Sequence, residues 1–174
     1  MTKIFIVIIG FLGTVLFTSA QEIFPATEKL IDVDWLIKPV TTKAGVYKSE
    51  DGRDIILFNG LVKRSFRISP NVACIDYKNM ISGQQLLRAV KPEAVLKIDG
   101  KDINVGGLYG QKENAYLKPE WVDNFVHHEN DFQFVKYTIS EIQPLVNWNA
   151  TGWAMNKKQP TGKTLNFFYQ SNSS

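Results

Sequence analysis

The sequence predicts an all-β fold, mainly antiparallel, of the β-sandwich or barrel kind. The first observation behind this prediction is the dipeptide Asn59-Gly60, which separates two apolar runs at Asp54–Phe58 and residues 61–68. This dipeptide suits a two-residue type I′ turn, in which both central residues have positive φ. The two runs are therefore predicted to form an antiparallel hairpin.

The second observation is a further dipeptide of the same kind, Asp99-Gly100, between Ala94–Ile98 and Lys101–Val105. It predicts a second type I′ hairpin. Asp51-Gly52 and Ser82-Gly83 add two more turns. Short strands therefore recur at fairly even spacing, which is typical of a sandwich or barrel and not of alternating strands and helices.

Alternation within residues 61–68 predicts a strand with one wet face. Apolar side chains are expected on one side of this strand and polar side chains on the other. The apolar side carries Val62, Phe66 and Ile68, and the polar side carries Lys63, Ser65 and Arg67. Arg64 falls on the apolar side. We interpret it as a residue near a strand end whose head reaches water or a carboxylate, the alternative being an inward-facing functional arginine.

The C-terminal half predicts two more strands and one short helix. In residues 132–139 the apolar alternation slips, so we expect a β-bulge near Phe134. Pro119 stands at a plausible first helical position, and Trp121 and Phe125 lie one turn apart, which predicts the helix near residues 119–126. Alternating apolar residues from Leu165 onward predict a final strand.

Residues 1–20 predict a secretory signal peptide cleaved after Ala20. Lys3 is followed by an apolar run over residues 4–17 and by the small residue that signal peptidase requires. The run is short for a bilayer-spanning helix, and no second run follows, so we expect a secreted or periplasmic protein without a membrane span. The predicted organisation is a leader (1–20), an N-terminal lead-in (21–43), a β-sandwich domain (44–170) and a tail (171–174).

Composition limits the classes of function. Removing 20 residues from 174 leaves 154, the size of one domain, with a charge of +2 once Lys3 is lost from the total of +3. Basic and acidic residues are interleaved, which argues against a nucleic-acid partner. The single cysteine, Cys74, excludes an internal disulfide and lies in an apolar run, so we expect a buried side chain.

The sequence contains few motifs that carry chemistry. His127-His128 is the only cluster resembling a metal site, and because adjacent side chains diverge we assign no metal there. No nucleotide-binding or nucleophile motif occurs, so no cofactor is expected. Carboxylates that could serve glycoside hydrolysis are present but have no spacing that pairs them: Glu93, Asp99, Glu120 and Asp123.

Aromatic residues in predicted loops are the candidate binding residues. A flat ring stacks on the apolar face of a sugar while nearby polar groups bind its hydroxyls. The carbohydrate-binding candidates are Tyr109, Tyr116, Trp121 and Trp153, with Trp148 as a fifth aromatic of the same kind. Each of them alone is also explained by packing, and only a cluster on one surface would indicate a binding site.

Four segments are distinctive in combination: residues 59–66 (NGLVKRSF), 87–94 (LRAVKPEA), 105–108 (VGGL) and 116–121 (YLKPEW). Together they resemble the N-terminal β-sandwich domain of large secreted bacterial glycoside hydrolases of the α-galactosidase type. The resemblance extends from about Trp35 to Tyr169. It implies a supersandwich-like domain that precedes and packs against a catalytic (β/α)₈ barrel.

In such enzymes the barrel supplies the catalytic carboxylates, and a barrel takes about 250 residues. We therefore expect no catalysis by this polypeptide alone, and we expect a non-catalytic domain, or a truncated fragment, of a glycoside hydrolase with a catalytic domain or partner chain. One alternative is a free-standing carbohydrate-binding module. Another is a surface interaction protein without a sugar ligand.

Overall fold

The computed structural model describes residues 21–25, 27, 29–32, 34–143 and 161–171. The predicted leader, Trp148 and Trp153 lie outside these ranges. Within them the chain is mostly antiparallel strand, which confirms the all-β prediction. The strands are β1 (Gly45–Lys48), β2 (Asp54–Phe58), β3 (Val62–Arg67), β4 (Ala73–Asn79), β5 (Ala94–Ile98), β6 (Lys101–Val105), β7 (Gln133–Glu141) and β8 (Lys163–Gln170).

The strands form one four-stranded sheet and two hairpins. Strands β1 to β4 lie in chain order in the larger sheet, and β5–β6 and β7–β8 are two-stranded. Consecutive strands can pair in this way because short turns join them. The β6 edge continues beyond its hairpin, since Val105 bridges Phe132 in parallel and the Phe132 amide donates to the Asn104 carbonyl at 2.9 Å. The two hairpins are thereby linked to each other.

The two predicted type I′ turns differ in outcome. Asp99 and Gly100 both have positive φ, 49° and 78°, and they connect the pair Ile98 and Lys101 as predicted. The prediction for Asn59-Gly60 is correct for the hairpin but wrong for the turn, since Gly60 has φ 88° and Asn59 is not in the positive region. The side-chain oxygen of Asn59 instead accepts the amide hydrogens of Leu61 and Val62, two and three residues further on, at 3.0 and 2.9 Å.

Strand β4 belongs to two hydrophobic cores because its successive side chains point to opposite faces. Cys74 packs with Phe66 and with the apolar face of the β7–β8 hairpin. Ala73 packs on the other side with a cluster from the segment before β5 and from the loop and helix that follow β6. That second cluster contains Val90, Leu108, Val122 and Phe125.

The predicted wet face of β3 is wrong, because its polar side chains are buried: Lys63, Ser65 and Arg67. Each of the two cations has a carboxylate partner from a different segment. Lys63 contacts Asp76 at 2.7 Å, and Arg67 contacts Asp54 at 2.5 Å and Asp123 at 2.8 Å. Buried charges are tolerated when they are paired in this way.

The remaining elements agree with their predictions. The predicted bulge is confirmed by a register shift between Phe134 and Lys136, and β8 turns Leu165, Phe167 and Tyr169 toward the core. The predicted short helix is a 3₁₀ helix, Pro119–Asn124. In the described part of the chain, none of the helices is long and apolar enough to span a membrane.

We predict that Gly106→Ala destabilises the fold far more than Gly52→Ala. Both glycines have positive φ, 66° and 71°, so both variants incur similar backbone strain. At Gly106 a Cβ would also lie 2.6 Å from the carbonyl oxygen of Val72, whereas nothing lies within 4 Å at Gly52. We expect an additional loss of about 2 kcal/mol in the free energy of unfolding, measured by denaturant titration. Equal losses for the two variants would contradict the close approach of the β6 end to β4.

Candidate functional site

A groove of about 590 Å³ lies between two short segments, residues 88–91 and 111–116, and we call it the 88–116 groove. Its walls carry three cations and one carboxylate: Arg88, Lys91, Lys112 and Glu113. Tyr116 lines it with a ring that is 68 % exposed. The groove therefore combines an exposed aromatic ring with charged hydrogen-bonding groups.

Gln111 joins the two walls of the groove through both ends of its side-chain amide. Its oxygen accepts the Val90 amide hydrogen at 3.0 Å, and its nitrogen donates to the carbonyls of Arg88 and Ala115 at 3.1 and 2.7 Å. The Leu117 amide also donates to the Arg88 carbonyl, at 2.9 Å. Because these bonds involve backbone on both sides, the width of the groove is set by the fold.

Tyr116 is the predicted site residue that the structure places most openly. The Arg88 guanidinium lies 5.4 Å from the centre of its ring, within the range of a cation–π contact. This contact orients the ring at the entrance to the groove. The part of the Tyr116 ring that Arg88 does not cover is exposed, so a flat ligand could stack on it.

Trp121 lies on the 3₁₀ helix and is half-buried against the core cluster of Ala73. The ammonium groups of Lys112 and Lys118 lie 5.5 and 5.6 Å from its ring centre. It also lines a small cavity of about 120 Å³ together with Lys112 and Gly110. Since Lys112 lines both this cavity and the 88–116 groove, Trp121 and Tyr116 belong to neighbouring parts of one surface.

Tyr109, the third candidate, has a structural role. Its hydroxyl donates to the Asp131 carboxylate and accepts from the Asn104 amide at 2.7 Å, while its ring contacts that of His128. Burial, with the Asp131 carboxylate, raises the pKa of Tyr109 to about 12. Both hydrogen-bonding directions of the hydroxyl are thus in use. Tyr109 joins the loop after β6 to the segment before β7.

Trp153, the fourth candidate, and Trp148 lie outside the described residues. Sequence reasoning missed the three positively charged residues of the groove, Arg88, Lys91 and Lys112. Isolated cations in polar segments carry no signal that they share a surface. Only the fold brings residues 88–91 against residues 111–116.

The carboxylates considered for hydrolysis include two that face arginines. Glu93 accepts from Arg64 at 3.1 Å and from the Cys74 amide at 3.1 Å. Asp123 accepts from Arg67 and Arg53, both at 2.8 Å, and these hydrogen bonds lower its pKa. Asp123 therefore stays ionised at neutral pH, and both carboxylates link segments of the fold.

Arg64 reaches a carboxylate, as predicted, although it lies within β3 and not at its end. Its guanidinium stacks at 4.6 Å on the ring of Phe66, and its Nε donates to the Cys74 sulfur at 3.3 Å. Cys74 is 5 % exposed, which confirms the predicted buried side chain, and burial raises the pKa of its thiol. A buried thiol of raised pKa is a poor nucleophile.

Metal binding finds no support in the geometry of the described ranges, where no group of three or more His, Cys, Asp or Glu side chains is arranged to hold an ion.

Comparison with known proteins does not identify the site. No family model matches the chain, and no curated protein sequence or solved structure is significantly similar to it.

We predict that Cys74 reacts slowly with a thiol reagent in the native protein. The raised pKa reduces the thiolate fraction at pH 8, and burial requires the β3–β4 region to open first. We expect the native rate to be lower than the rate in denaturant by at least about a hundredfold, the factor for an opening step of about 3 kcal/mol. Because Cys74 is the only cysteine, absorbance of the released chromophore reports on it alone. Similar rates in both conditions would show that the thiol is accessible.

Proposed function

We propose that this protein is a non-catalytic carbohydrate-binding domain of a secreted glycoside-hydrolase system, with the 88–116 groove as its sugar site. The observation that carries the proposal is the 68 % exposed ring of Tyr116 at a groove held by Gln111, with Trp121 on the adjoining surface. Apart from the aromatic rings, the proposal rests on the resemblance of the four segments to glycosidase domains.

The groove offers both kinds of contact that a sugar requires. One face of a pyranose ring is apolar and stacks on an aromatic ring, and Tyr116 supplies that ring. Sugar hydroxyls need donors and acceptors at the edge, which Arg88, Lys112 and Glu113 provide. The side-chain amide of Gln111 holds both walls in place through hydrogen bonds to their backbone. The groove residues therefore need little additional ordering when a ligand binds.

The non-catalytic part of the proposal is supported by how the reactive groups are used. Glu93 and Asp123 are paired with arginines, and Cys74 is buried. A glycosidase needs two carboxyl groups that face one glycosidic bond, one of them with a raised pKa. Asp123 has the opposite shift, since its arginine partners lower its pKa.

Export is the second part of the proposal and rests on residues 1–20. In this account the leader is removed after Ala20 and the domain acts outside the cytoplasm, in the periplasm or beyond the cell. Polysaccharides too large to cross the membrane are available there. A catalytic glycosidase domain or partner chain would then act on the sugar that this domain holds.

We predict that Tyr116→Ala and Trp121→Ala weaken glycan binding without unfolding the domain. The ligand is first found on a glycan array, and its affinity is then measured by titration calorimetry. Loss of a stacked ring should raise the dissociation constant about tenfold. Phe168→Ala is the matched control. The Phe168 ring on β8 is also exposed and also has a cation–π contact with a lysine, Lys136, but it does not line the groove.

Two results would contradict the proposal. If the protein bound no glycan on the array, sugar binding would be excluded as its function. Hydrolysis of aryl α-galactosides by the purified protein, above the rate of a heat-inactivated sample, would show that it is not a non-catalytic domain.

A further inference from the structure

Gln21, the first residue after the predicted cleavage site, is docked on the folded domain. The Tyr137 hydroxyl on β7 donates to the Oε1 atom of Gln21 at 2.7 Å. The next residue is held as well, since the Glu22 carbonyl accepts the Lys48 amide hydrogen at 2.9 Å, and Phe24 donates back to the Lys48 carbonyl at 2.8 Å. Gln21 is therefore fixed between the β1 edge and the β7–β8 hairpin.

The other half of the Gln21 amide is in a different situation. Its Nε2 atom is enclosed by protein and has no hydrogen-bond partner among the described residues. Buried amide donors are nearly always paired, and an unpaired donor lowers stability because its water contacts are lost without replacement. The fold thus uses the carbonyl of this side chain and has no partner for its NH₂ group.

We propose that Gln21 is converted to pyroglutamate in the mature protein. Once the peptide bond after Ala20 is cut, the α-amino nitrogen of Gln21 attacks Cδ of its own side chain. A new N–Cδ bond closes a five-membered lactam, the Cδ–Nε2 bond breaks, and Nε2 leaves as ammonia with the proton given up by the amine. The reaction is intramolecular and needs no oxidant or second substrate.

The docked geometry is suited to the product. The lactam retains the carbonyl oxygen that Tyr137 binds and expels the nitrogen that has no partner. This inference rests on the predicted export and is independent of sugar binding, so the glycan experiments do not test it.

The test is mass spectrometry of the full chain, expressed with its own leader and purified from the exported fraction. We expect an N-terminal peptide that starts at Gln21, is lighter by one ammonia than the open glutamine form and co-elutes with a synthetic pyroglutamyl peptide. A synthetic open peptide taken through the same digestion controls for cyclisation during handling. A free α-amino group on Gln21, or an N-terminus at any other residue, would overturn the proposal.

A second measurement tests whether the ring is docked. Pyroglutamyl aminopeptidase should remove it readily from the unfolded exported protein and slowly from the native one. Tyr137→Phe should raise the native rate about fivefold, since it deletes one hydrogen bond to the lactam carbonyl. Tyr47→Phe, whose hydroxyl is not bonded to Gln21, serves as the control. Equal rates for native and unfolded wild type would contradict the docking.

Discussion

Strand β4 packs on both of its faces against other parts of the chain, and these contacts hold the two hydrophobic cores together. Cys74 faces the β7–β8 hairpin and Ala73 faces the cluster that includes Val122 on the 3₁₀ helix. A two-stranded hairpin is marginal on its own, so β7–β8 requires this sheet for stability. The loop after β6 depends on it too, since the Gly107 amide donates to the carbonyl of Val72, just before β4, at 2.7 Å.

This arrangement explains why the groove is preformed. The segment that carries Tyr116 leads directly into the 3₁₀ helix, whose Val122 is anchored in the Ala73 cluster. Its other end is held by Gln111, and the opposite wall contains Val90 of the same cluster. The groove is thus the outer surface of one hydrophobic core, and its exposed side chains stand on backbone that packing holds in place.

Ion pairs replace apolar contacts on the second face of β3. Lys63 and Arg67 are buried because each meets a carboxylate brought from another segment. Removing one partner of such a pair leaves an uncompensated charge, so these contacts specify how the segments meet more than they add to stability. They also hold Asp123 between two arginines, Arg67 and Arg53.

Features that depend on neighbours in the chain were predictable from the sequence. Asp99-Gly100 forms the predicted turn, and the slipped alternation around Phe134 correctly indicated a bulge. The burial of Arg67 was not predictable, because its partner Asp123 lies 56 residues away.

The candidate site was predictable only in part. Exposure of Tyr116 followed from its place in a polar loop, whereas the binding of Tyr109 to Asp131 depends on a contact 22 residues distant. Gln111 carried no signal at all, since its importance comes from three backbone groups that the fold places around it.

We propose that the surface around Tyr116 and Trp121 binds carbohydrate. Nuclear magnetic resonance of the protein titrated with an array-selected glycan is the decisive experiment. We expect shifts at the Trp121 indole N–H and at the backbone amides of residues 88–91 and 111–116, while the amides of β4 stay unchanged. Shifts confined to other surfaces, or spread through β4, would contradict it.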